Sequence, residues 1–214
     1  MLRRWPFIVV GLTGSVATGK STAATMIRDL GIPVFDADAA VHSLLGPGGK
    51  AVPAVAAVFP GVINECVVDR RILGNKVFKN FDRLKDLEAI LHPLVKEERT
   101  LFLKQCAARR QSLVVIDAPL LFETGGYKTC DFVMVVSAPH FVQEQRVLRR
   151  PGMNETKLAG ILARQISDVE KRRRADEVVP SGSGKRETLR RIIKCLKVAR
   201  RKRRKMLRRL PCVK

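Results

Sequence analysis

An α/β fold built on a parallel sheet is what this chain predicts, and three observations predict it. Short apolar runs rich in β-branched residues recur at 7–13, 113–117 and 132–136. Helix-forming segments alternate with them, the pattern of strand–helix–strand units. A glycine-bearing turn joins the first run directly to the first helical segment.

Phe7-Ile-Val-Val-Gly-Leu-Thr13 is continuous rather than alternating, as a strand buried on both faces requires. A helix is expected from about Lys20 to Leu30, with Gly31 as its C-cap, and Ile32-Pro33-Val34-Phe35 reads as a second strand ending in Asp36-Ala37-Asp38. From Ala39 to about Gln111 the character is helical, broken early by Pro47, Pro53 and Pro60, with a longer amphipathic segment over Arg83–Arg110. Leu113–Asp117 and Phe132–Val136 are too short for helices and read as parallel strands. Residues 141–174 are helix-forming and arginine-rich, Glu177-Val178-Val179 reads as a last strand, and Ser181-Gly182-Ser183-Gly184 as a loop. Leu189, Ile192, Ile193 and Leu196 then recur at helical spacing, so the tail begins as an amphipathic helix before Arg200-Arg201-Lys202-Arg203-Arg204-Lys205.

Composition narrows the class. With 214 residues, 46% hydrophobic and 29% charged, the chain can bury a real core. No apolar run approaches the roughly 18 residues of a membrane-spanning helix. Met1–Trp5 and the run after it faintly imitate a secretory signal, but the apolar region is too short and reads as the first strand. Five widely spaced cysteines, with no C-x-x-C pair, point to a reducing cytoplasm. The net charge of +21 favours anionic partners, and two thirds of the excess falls between Lys185 and Lys214, where fifteen basic residues meet one acid. That tail is expected to touch anionic surfaces without specificity, and no required protein partner is evident.

Gly14-Ser15-Val16-Ala17-Thr18-Gly19-Lys20-Ser21 satisfies G-x-x-x-x-G-K-[ST], and Thr22 follows in the same turn. Between a strand and a helix this is a phosphate-cradling P-loop, against which the alternative is a simple glycine turn. Backbone N–H groups and the helix N-terminus must converge on phosphate oxygens, which bulk at Gly14 and Gly19 would obstruct. Lys20 is placed to reach the β- and γ-phosphates, and the Ser21 hydroxyl to ligate Mg²⁺, so the expected ligand is ATP or GTP with magnesium. Asp36 and Asp38 sit at a strand end, where one carboxylate could take a proton from an attacking hydroxyl or one or both could cap the next helix. Asp117 ends the third strand as a magnesium-holding carboxylate or, again, a cap. Arg146, Arg149 and Arg150 offer guanidinium groups to a transferring phosphate or form a solvated helix face. His42 and His140 read as surface residues, and His92 on its own pattern as a helix-end residue.

Taken together, Gly11-Leu12-Thr13-Gly14, Asp36-Ala37-Asp38, Leu91-His92-Pro93-Leu94, Asp117-Ala118-Pro119-Leu120-Leu121-Phe122-Glu123, Gln145-Arg146 through Arg150, Arg164-Gln165 and Arg174-Ala175-Asp176 resemble the dephospho-coenzyme A kinase family. The resemblance runs to about residue 184. It implies a P-loop, nucleoside-monophosphate-kinase-like three-layer fold: a core of 1–38 and 112–140, a helical acceptor-binding insertion over 39–111 and a lid over 141–175. Outside it, 185–214 reads as a basic amphipathic helix and tail. The resemblance also implies ATP as co-substrate with Mg²⁺ and 3′-dephospho-CoA as acceptor. Asp38 then matches the general base, Arg150 the lid arginine on the ATP phosphates, and His92 the acceptor-binding region. Three departures stand out: Ser15 and Ala17 replace common glycines, costing on the order of 1 kcal/mol each if their φ must be positive, Pro180–Ser183 replaces the usual polar stretch near adenine, and the cationic tail is atypical and has no catalytic role. The alternatives are a P-loop kinase for another small metabolite, and an NTP-switched nucleic-acid-binding protein. The latter has one Trp and one Tyr for base stacking and no readable nucleic-acid module.

Overall fold

The computed structural model describes residues 5–65, 67–78, 80–149, 160, 162 and 165–208. Along the chain run β1 (Ile8–Thr13), α1 (Lys20–Asp29), β2 (Val34–Asp36), α2 (Ala37–Leu45), α3 (Val52–Val58), β3 (Ile63–Asn64), β4 (Val67–Val68), α4 (Arg70–Phe78) and α5 (Phe81–Ala108). There follow β5 (Leu113–Asp117), a 3₁₀ turn (Gly126–Thr129), β6 (Phe132–Ser137), α6 (His140–Leu148), α7 (Asp168–Arg174), β7 (Glu177–Pro180) and α8 (Lys185–Arg208). Residues 1–35 with 106–214 form one compact unit and residues 36–105 another.

The first unit holds a five-stranded sheet in the order β2-β5-β1-β6-β7, with β1 parallel to both β5 and β6, and β6 parallel to β7. Every residue of β1, β5 and β6 is buried, which is why their sequences are uninterrupted apolar runs. Successive side chains face opposite ways. Ile8, Val10 and Leu12 with Val115 and Met134 therefore meet Ala23, Ala24 and Ile27 of α1 on one face. Leu121 and Phe122 cover Val133 and Val135 on the other. The order places β1 at the point where connections diverge to either side, the position at which open α/β sheets bind ligands.

Expected as an appendage, α8 instead completes the core: Ile192, Cys195, Leu196 and Ala199 are buried against the face that α1 covers. The Leu189–Leu196 periodicity thus describes a helix packed on the sheet.

The second unit packs Leu44, Leu45, Val55, Phe59, Val62, Val68, Leu73, Val77, Leu87 and Leu91 into a core of its own. Pro53 lies in the first turn of α3, where its missing N–H costs nothing, and so starts that helix. Between α3 and α4 a two-stranded antiparallel ladder pairs Ile63 with Val68 and Asn64 with Val67. Sequence periodicity predicted only helix there, because a two-residue strand has no period to detect. The predicted Arg83–Arg110 helix is α5 over Phe81–Ala108, which carries Pro93 within it.

Two predicted boundaries move. β2 stops at Asp36 and α2 begins at once, so Asp38 stands in the first turn of a helix and not at a strand end. The physical reason is Asp36 itself: its Oδ1 accepts the Ala39 N–H at 3.0 Å and caps α2. Within 141–174, α6 and α7 are separate helices, and residues 150–159 lie outside the described residues.

Candidate active site

The loop from Gly14 to Gly19 turns the chain from β1 into α1. Gly14 is required by close approach: a Cβ there would stand 2.5 Å from the Val136 carbonyl oxygen and 2.6 Å from Thr18 Oγ1. Gly19, the N-cap of α1, has φ 90° and is required by backbone conformation. The first turn of α1 carries no acidic side chain, so its N-terminal N–H groups and dipole face outward for an anion. Ser21 and Thr22 are exposed in that turn.

Of the two substituted glycines, only Ala17 adopts the left-handed conformation, at φ 57°. Ser15 does not; its carbonyl accepts from both the Thr18 hydroxyl at 2.9 Å and the Thr18 N–H at 3.3 Å, which closes the turn from inside. The strain therefore falls on one residue.

Three side chains far away in sequence hold the loop. Gln165 Oε1 accepts the Val16 N–H at 3.2 Å. Ser181 Oγ donates to the Thr18 carbonyl. Arg146 Nη1 donates to the Ala17 carbonyl at 3.3 Å and to Ser181 Oγ at 3.2 Å, while Nη2 reaches the Ser181 carbonyl at 3.0 Å. Arg146 is thus neither a solvated face residue nor a free guanidinium: it secures the strained carbonyl of Ala17. Nothing in the spacing of the sequence couples Ser181 to the loop. Gln165 was visible only as part of the resemblance, and Arg146 as a guanidinium for the transferring phosphate or a solvated face residue, not as a clamp on the loop.

Lys20 Nζ lies 2.7 Å from Asp117 Oδ1, and the Asp117 side chain is 2% exposed against 14% for Lys20. Asp117 therefore balances the lysine at the end of β5. A carboxylate and an exposed hydroxyl, Asp117 and Ser21, are hard oxygen donors of the kind Mg²⁺ takes when substrate phosphates and water complete its shell. The residues fit the ion. Among the described residues no cluster of three or more His, Cys, Asp or Glu forms a separate metal cage.

A family profile for dephospho-CoA kinase matches residues 8–187, most of the chain. The chain belongs to the dephospho-CoA kinase family. A dephospho-CoA kinase of Rhodospirillum rubrum is 54% identical over 195 residues, covering 90% of this chain and 92% of the relative. A crystal structure from Thermus thermophilus superposes with TM-score 0.78 at 33% identity, covering 90% of this chain and 97% of that one. The dephospho-CoA kinase of Campylobacter jejuni shares the fold, with TM-score 0.61 at 22% identity over 89% of this chain and 96% of that one. The sheet flanked by helices is accordingly a P-loop kinase fold.

Of the other residues that the family resemblance singled out, Asp38 and His92 belong to the second unit, both exposed, in α2 and α5. Arg150 and Arg164 lie outside the described residues. His42, read as a surface residue, is exposed and contacts Arg70 Nη1 through Nε2. No helix among the described residues is long and apolar enough to cross a membrane.

A feature the sequence concealed lies beside the loop's root. Lys171, within a run of four basic residues, is fully buried. Its Nζ is 3.0 Å from Glu123 Oε1 and donates to the Pro119 carbonyl at 3.1 Å, which also accepts the Thr13 hydroxyl at 3.1 Å. Glu123 Oε1 accepts the Ile166 N–H at 2.9 Å as well. One ammonium thus ties α7 to the segment after β5 and to the last residue of β1.

Proposed function

We infer that this chain is a dephospho-CoA kinase, transferring the γ-phosphoryl group of ATP to the ribose 3′-hydroxyl of 3′-dephospho-CoA to give coenzyme A and ADP. The observation that carries the reading is the P-loop, with Gly14 and Gly19 each required by geometry, in a chain whose family profile spans residues 8–187.

The first unit performs the phosphate chemistry. Loop amides and the α1 N-terminus hold the β- and γ-phosphates through backbone residues from Gly14 to Thr22, with no reorganisation at the moment of reaction. Lys20 neutralises charge that grows on the phosphoryl oxygens as the bond to the leaving ADP oxygen breaks. Its pairing with Asp117 keeps the ammonium at the root of the loop and means that phosphates and carboxylate compete for it. Mg²⁺, when bound, neutralises phosphate charge; Ser21 and Asp117 are the residues that would hold it. Asp38 accepts the proton of the 3′-hydroxyl as the new O–P bond forms. His92 serves acceptor binding, and Arg150 clamps the ATP phosphates. Support for these three roles is the match of each residue to the family pattern. Work in a reducing cytoplasm accords with the reduced, buried thiols of Cys106 and Cys195.

The test is direct: incubation with Mg-ATP and 3′-dephospho-CoA, followed by mass spectrometry. A product heavier by one phosphoryl group, matched by equimolar ADP, is expected. Asp38→Asn is expected to lower kcat by several orders of magnitude while ATP binding persists; unchanged turnover removes Asp38 as the base.

A further inference from the structure

The outer face of α8 is a charged ridge that the kinase chemistry does not use. Its inner face is committed to the sheet through Thr188, Ile192, Cys195, Leu196 and Ala199. On the outer side, Arg186, Arg190, Lys194, Lys197 and Arg201 are all exposed and follow one another at intervals of four, four, three and four residues. That spacing puts them in one row along the helix, about 22 Å long at ~1.5 Å per residue. Glu187 is the only acid on the helix, and it is engaged by Arg190 at 3.8 Å and Arg191 at 3.2 Å. Lys202 belongs to the core side instead, paired with Asp176 and lying over the Phe132 ring. Among the described residues, Arg186, Lys194, Lys197 and Arg201 have no hydrogen-bond or ion-pair partner.

We propose that this ridge is a docking surface for the sugar-phosphate backbone of double-stranded nucleic acid, bound without sequence preference. The partner must be anionic along a line, because the cations stand in a line and repel one another until phosphates neutralise them. Arginine contributes three of the five side chains, and its planar fork suits phosphate oxygens. A bilayer fits less well. Stable attachment of a helix to membrane uses apolar insertion beside the charge, and here the apolar residues Ile192, Cys195, Leu196 and Ala199 of α8 are buried against the sheet. Among the described residues, no exposed large apolar side chain lies on α8. Since α8 is fixed to the sheet, only its outer face can approach a duplex, which reaches phosphates and leaves base edges unread. The row also lies on the opposite side of α8 from the sheet, so docking and phosphoryl transfer are separable.

The test is fluorescence anisotropy of the full chain with a labelled 25-base-pair duplex, as DNA and as RNA, from 50 to 200 mM KCl. Five phosphate contacts predict a slope of log K against log salt of roughly −4 to −5. The triple variant Lys194→Glu, Lys197→Glu, Arg201→Glu is expected to bind at least ~100-fold more weakly at 50 mM and to flatten the slope by about 3, with kinase turnover unchanged. A control triple elsewhere, Lys96→Glu, Lys104→Glu, Lys128→Glu, makes the same change in net charge and is expected to bind within about threefold of the parent. Equal losses in both triples mean that net charge alone drives binding, and overturn the proposal. So does no duplex binding at 50 mM, or preference for phosphatidylserine vesicles over duplex.

Discussion

Replacing Lys171 by Met tests how the first unit is held together. The ammonium is fully buried, 3.0 Å from Glu123 Oε1, and the Glu123 side chain is 15% exposed. Glu123 Oε2 is itself buried and has no hydrogen-bond partner among the described residues. Removing the lysine leaves the carboxylate with the Ile166 N–H as its remaining donor among the described residues. Breaking a buried pair from one side costs about 3–5 kcal/mol, because a charge stays behind without compensation. At roughly 2–4 °C per kcal/mol for a chain of this size, the melting temperature should fall by about 6–20 °C. Urea unfolding followed by circular dichroism measures the free energy directly. The decisive comparison is Lys171→Met combined with Glu123→Gln: the glutamine keeps an acceptor for Ile166 and removes the stranded charge, so the double variant should recover more than half of the loss. A loss under about 1 kcal/mol for Lys171→Met, or a double variant no more stable than the single, would refute the claim that this pair is an electrostatic tie.

Gly14→Ala should cut kcat/KM for ATP by about 5- to 150-fold, since its methyl group would sit 2.5 Å from a backbone oxygen and overpacking of this kind costs about 1–3 kcal/mol; steady-state kinetics over a range of ATP concentrations will read it. Burial pushes the Cys195 thiol up to about 11 from its ordinary 9.0. The unfolded thiol therefore ionises first, its contribution to stability is complete below about pH 9, and it is lost as pH rises toward 11. Unfolding titrations across that window should fall less steeply for Cys195→Ala than for the parent, and folded protein should resist iodoacetamide at Cys195 at pH 8, as peptide mass spectrometry will show.

Local patterns announced themselves clearly. Continuous apolar runs mark β1, β5 and β6 because strands buried on both faces have no polar side to alternate with. The P-loop is legible because its chemistry is confined to eight consecutive residues, Gly14 to Ser21. What escaped reading was either very short or very long in range. The β3–β4 ladder has two residues per strand, too few for a period. Asp36 and Asp38 look alike in sequence, and only the hydrogen bond from Ala39 separates the cap from the exposed carboxylate.

By itself the sequence determined an α/β kinase with a phosphate loop after its first strand, because β-branched runs, glycines and a Lys-Ser pair act through bonds and neighbours a few residues apart. Tertiary structure alone decided which distant side chains finish that loop. Arg146, Gln165 and Ser181 reach it from positions more than 120 residues away along the chain, and Lys171 turns out to be a core residue within a run of basic ones. Hydrogen bonds and ion pairs depend on distance in space, and until the sheet brings β1, β6 and β7 side by side no spacing along the chain encodes it.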